Sequence, residues 1–82
     1  MAIELPKKLR DQLIASLKQY FAEDLDQDIG DLKASLLLDF IIKEIGPVIY
    51  NHAVADVQAR MQEIISELDG TCFEPEFTYW KR

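Results

Sequence analysis

From Asp31 to Ile45 the chain is apolar at too many positions for a helix with one wet side. Leu36, Leu37, Leu38, Phe40, Ile41 and Ile42 point around most of a helical circumference. A helix of that kind must be covered on most of its surface. Cover comes from the rest of the chain or from a partner. The first option is limited at 82 residues, because so short a domain buries only about 60% of the surface that its unfolded chain exposes. Cys72 is the only cysteine, so disulfides cannot make up the difference, and helix packing or association must.

Periodicity organises the chain on either side. Leu9, Leu13, Ile14, Leu17, Tyr20 and Phe21 recur at three- and four-residue steps and predict a helix over about 6–22, with Pro6 at its first position. An acidic connector follows, and Asp31 is placed to cap a second helix over 31–45. Gly46 then fits the residue just past a helix end, and Pro47 the start of a third helix over 47–68. In that third helix Tyr50, Val54, Val57, Met61, Ile64 and Leu68 alternate steps of four and three, the spacing of a coiled-coil seam. Asp69-Gly70 reads as its end. Residues 71–82 read as an irregular arm laid across the helices, because Phe73, Phe77, Tyr79 and Trp80 are too apolar to be left in water. The expected fold is one all-α domain over 1–82: a short extended N-terminus, three antiparallel helices with the second at the centre, and the arm, paired as a dimer.

Composition restricts the function classes. The chain is 49% hydrophobic and 29% charged, with a net charge of -6, as expected of a small acidic domain. The apolar block is interrupted by Asp39, Lys43 and Glu44, far short of the ~20 residues that cross a bilayer. The Ile3–Leu5 run is too short for a secretion signal. A lone thiol suits a reducing compartment and is most often a small buried hydrophobe. The expected location is cytoplasmic.

Few constellations point to chemistry. Asp24, Asp26 and Asp28 alternate ahead of Gly30 like the start of a calcium loop, yet position six would be Ile29 and position twelve Ser35. Such a loop needs glycine and glutamate there, so a solvated turn is the better reading. His52 has Asp56 one helical turn on, a local pair with no adjacent nucleophile; Cys72 reaches it only if the fold allows. One His and one Cys fall short of a zinc site. No catalytic, metal or cofactor residue is expected, and an enzyme is not. Asp39 lies between Leu38 and Phe40, either at the rim with Lys43 as partner or as a polar contact to Tyr50 or Asn51 that sets register.

Two resemblances add to this. Residues 1–10, with Ile3 and Leu5 alternating against Ala2 and Glu4 before Lys7, Lys8 and Arg10, resemble the opening of ribbon-helix-helix DNA-binding regulators. That resemblance implies a strand at 2–5 entering the major groove, and the negative charge weighs against it. The runs Ile29-Gly30-Asp31-Leu32-Lys33-Ala34, Leu37-Leu38-Asp39-Phe40, Ile45-Gly46-Pro47 and Tyr50-Asn51-His52-Ala53-Val54, with Arg10 and Tyr20-Phe21, resemble a family of small bacterial proteins called domain of unknown function 2164. That resemblance implies a bacterial, cytoplasmic protein whose whole length is the domain, and it carries over no activity, cofactor or catalytic residue. The expected function is a protein-interaction module that pairs with itself or docks onto another protein. Leu37, Phe40, Ile41, Tyr50, Phe73, Phe77, Tyr79 and Trp80 are the candidate contacts, and Asp39 and Asn51 the polar specificity candidates.

Overall fold

The computed structural model describes residues 2–81, which are helical or irregular with no strand among them. Helix α1 spans Lys7–Asp24, α2 spans Asp31–Phe40 and α3 spans Gly46–Cys72, with a π-helical turn at Ile41–Ile45 between α2 and α3. The chain divides into two compact units, Met1–Asn51 and His52–Arg82.

In the first unit α1 packs against α2. Pro6 precedes α1 as its cap residue, one place earlier than expected, and its carbonyl accepts from the Arg10 N–H at 3.0 Å. At the other end the N–H groups of Leu25 and Gln27 both donate to the Phe21 carbonyl, at 3.2 and 2.9 Å. Asp26 takes a left-handed conformation there (φ 51°), one that aspartate tolerates better than most residues. Gly30, not Asp31, stands at the α2 cap, and its carbonyl accepts from the Ala34 N–H at 3.1 Å. Asp31 is the first helical residue, where a carboxylate still favours the helix dipole.

The core of this hairpin is small. Ala34 (0% exposed) and Leu38 (4%), one turn apart on α2, are the buried apolar residues. Ile14, Leu17 and Phe21 on α1 are half-buried. Two ion pairs bridge the helices in their antiparallel register: Arg10 with Asp39 at 3.0 Å and Lys18 with Asp31 at 2.9 Å. The two bridges are eight residues apart on each helix, about 12 Å along the axis.

The expected break at Gly46-Pro47 is absent. Gly46 is right-handed helical (φ -52°, ψ -48°), and the backbone is helical without interruption from Asp31 to Cys72. Two helical segments therefore replace the three expected, and the antiparallel third helix is corrected. The reason lies in the turn before the proline. Pro47 has no N–H and its ring crowds the carbonyl four residues back. The π turn widens the ladder at that place, and the Gly46 N–H donates to the Ile41 carbonyl five residues earlier. A helix that yields in this way can pass through a proline. Asp69-Gly70 does not end α3 either, since a helical glycine costs about 1 kcal/mol against alanine without forbidding the turn. Beyond Gly70, the Thr71 hydroxyl donates back to the Glu67 carbonyl at 3.2 Å.

Residues 73–81 are irregular, whereas Thr71 and Cys72, expected at the start of the arm, belong to α3. The expected cover is not found, because Phe73, Phe77, Tyr79 and Trp80 are all exposed, Phe77 to 92%. Pro75 lacks a backbone donor, and Phe77 has a positive φ of 56°, so the segment does not continue the helix that would give it a packing face. Tyr79 meets Trp80 edge to face at 4.7 Å.

Candidate functional site

Three surfaces carry the residues that the sequence singles out. The first is the outer side of α2. Leu37 and Ile41 are half-buried, whereas Phe40 is 56% exposed. Leu32 and Leu36 are exposed as well, and with Phe40 they form a row at four-residue steps, turned away from Ala34 and Leu38. Leu32 and Leu36 are not among the contact candidates named from the sequence, although their spacing with Phe40 was the available signal. The helix expected to be covered all round is covered on one side.

The second surface surrounds the π turn. Ahead of α1, Ile3 and Leu5 are half-buried and Ala2 and Glu4 exposed, but the strand expected over 2–5 is not formed. Ile3 rests on Gly46 so closely that a β-carbon there would stand 3.1 Å from its Cδ1. Beside this contact lies a hollow lined by Ala2, Ile3, Ile42, Lys43, Pro47, Tyr50 and Asn51. Tyr50 and Asn51 are thus brought together here, and both are exposed. Asp39 does not join them. Its partner is Arg10, which also donates to the Ser35 hydroxyl at 3.3 Å. Neither Lys43 nor Asn51 is its partner, and Asp39 itself is half-exposed. Arg10 was legible in the basic run and in the family resemblance but not as the partner of Asp39, because a pairing between residues 29 positions apart leaves no local spacing signal.

The third surface is the seam of α3. Tyr50, Val54, Val57, Met61, Ile64 and Leu68 are between 39% and 57% exposed. The residues between them are polar or small on the far side: His52, Ala55, Asp56, Ala59, Gln62, Glu63 and Ser66. The helix is therefore amphipathic with its apolar side open to solvent.

The remaining candidates separate in space. His52 lies 3.8 Å from Asp56, both well exposed. Cys72 is exposed, not buried as expected. It stands 20 residues further along the same helix, about 30 Å away, so these two side chains form no nucleophile–base pair within one chain. Among the described residues no group of three His, Cys, Asp or Glu side chains is arranged to hold a metal ion. Of the basic run, Lys7 pairs with Asp11 at 3.3 Å and Arg10 is engaged with Asp39. No helix among the described residues is long and apolar enough to cross a membrane.

A family model described as "Uncharacterized conserved protein (DUF2164)" covers residues 3–76. No curated protein and no solved structure matches the chain.

Proposed function

We propose, for a chain that belongs to the DUF2164 family, the role of a small non-enzymatic interaction module that associates with a second copy of itself. The observation that carries this reading is the open seam of α3, where six apolar residues in coiled-coil spacing are all exposed. A core of Ala34 and Leu38 with half-buried neighbours is thin support for 82 residues, and association adds burial where the chain lacks it. The exposed Cys72 thiol favours a reducing compartment such as the cytoplasm.

The reading as a nucleic-acid binder has less behind it. Its inward residue Ile3 is seated on Gly46, and Arg10 is committed to Asp39. The test is sedimentation of the native chain by analytical ultracentrifugation across a hundredfold range of concentration. A dimer that dissociates on dilution is expected, and Val57→Lys is expected to leave a monomer. A native chain that is monomeric throughout would overturn the proposal.

A further inference from the structure

The self-association reading leaves open which face is used and in which direction the copies run. We infer that α3 pairs with α3 of a second copy in antiparallel orientation, seam to seam, with Arg60 of each copy against Glu67 of the other. The inference rests on the self-association reading and adds to it the surface, the direction and the specificity pair.

The argument comes from the flanks of the seam. Along Tyr50, Val54, Val57, Met61, Ile64 and Leu68, one flank carries Ala53, Arg60 and Glu67, and the other carries Asn51, Gln58, Ile65 and Cys72. Flanking positions of this kind form the ion pairs that set partner and orientation in paired helices. If two copies ran parallel in register, each flank would face the opposite flank of its partner. Arg60 would then meet Ile65, and Glu67 would meet Cys72, so neither charge would find an opposite. If the copies run antiparallel, like flank faces like flank. Pairing Met61 with Ile64 of the second copy also pairs Val57 with Leu68, and brings Arg60 within one turn of Glu67 twice over by symmetry. The apolar layers and the charges agree on one register. In the single chain Arg60 turns to Glu63, three residues along, at 3.0 Å, and both are well exposed. That contact is weak enough for Arg60 to exchange it for a partner at little cost. Ile65, 64% exposed on the uncharged flank, gains cover from the second copy's Gln58 in the same arrangement.

The native cysteine provides a direct test. Nitroxide labels on Cys72 of the unmodified chain lie near the two far ends of an antiparallel pair, about 30 Å apart from the helical rise and the spacing of packed helices. A dipolar spin-echo distance near that value is expected. A distance of about 15 Å or less, as a parallel pair would give from packed-helix spacing, would overturn the inference. So would an absence of measurable coupling. Sedimentation of the same labelled sample then tells whether self-association fails too (a monomer) or only the α3 pairing (a dimer built elsewhere). An independent arm mixes Arg60→Glu with Glu67→Arg chains. Each alone sets like charges against each other, and its dimer is expected to weaken about tenfold, whereas the mixture restores opposite charges at both pairs and is expected to form heterodimer in preference. Effects within one helix are the same in homodimer and heterodimer, so the preference reads the contact between chains alone. A statistical mixture would overturn the Arg60–Glu67 pairing.

Discussion

The Cδ1 methyl of Ile3 stands 3.1 Å from the place where a β-carbon on Gly46 would be. This contact joins the start of the chain to the point where the helix negotiates its proline. It falls on a glycine in the middle of a helix, where glycine is otherwise unfavourable. The obstructing atom is the end of a flexible side chain, and the next neighbour, the Ile41 carbonyl at 3.5 Å, is an ordinary contact.

Gly46→Ala therefore sets helix propensity against a contact that can yield. In an Ile3→Ala background the substitution is expected to raise stability by about 1 kcal/mol, the full propensity difference. In the native background the gain is expected to be about half that, because Ile3 must move by a few tenths of an ångström. Urea unfolding of the four proteins at one fixed concentration measures the coupling. Equal gains in both backgrounds would remove Ile3 as the reason for the glycine.

Pro47→Ala restores a donor beside the π turn. The new N–H is expected to bond the carbonyl four residues back and to convert Ile41–Ile45 towards α-helical register, stabilising by about 1 kcal/mol. Slow exchange of the residue 47 amide, with changed shifts confined to the π turn and the hollow beside it, is the NMR signature. A rapidly exchanging amide would show that something other than the proline holds the turn open.

The Arg10–Asp39 pair is worth little as an isolated bridge, since Asp39 is half-exposed. Asp39→Ala is expected to cost about 0.5 kcal/mol and to lose much of that effect in high salt. Arg10→Ala is expected to cost nearer 1 kcal/mol, because its stem also covers apolar surface and Ser35 loses its donor. A double-mutant cycle in urea separates the two contributions. A coupling of zero would assign the register to apolar packing alone.

Ala34 is fully buried where α2 faces α1. Enlarging it to leucine is expected to destabilise by about 1–3 kcal/mol through overpacking. Leu36→Ala, on the exposed outer row of the same helix, is expected to change folding stability by about 0.5 kcal/mol or less. Comparable losses at both sites would mean that the outer row is buried in solution.

Gly70 is helical, and an added β-carbon there would meet nothing within 4 Å. Gly70→Ala is expected to stabilise the chain by about 0.5–1 kcal/mol. Helix content followed by circular dichroism should rise slightly, with the largest amide protection gains near the end of α3. No gain would place the end of α3 before Gly70.

Local order determined much of this molecule. The three-and-four spacing of Leu9 to Phe21 is enough to make α1. The alternation of Ile3 and Leu5 sets which side chains ahead of α1 turn inward, whereas the cover that the apolar excess of Leu36 to Ile42 calls for is found on one side of the helix only. Each is a repeat that a few neighbouring residues carry by themselves. Tertiary structure decided what repeats cannot express. Gly46-Pro47 reads as a stop because glycine and proline end most helices that contain them. Here the π turn absorbs the proline and the seat of Ile3 occupies the glycine, so the helix continues. Asp39 has an eligible lysine one turn away and pairs with Arg10, because the α1–α2 register brings that guanidinium closer. Spacing along a chain fixes which residues share a face, but which face meets another depends on contacts between residues far apart in sequence.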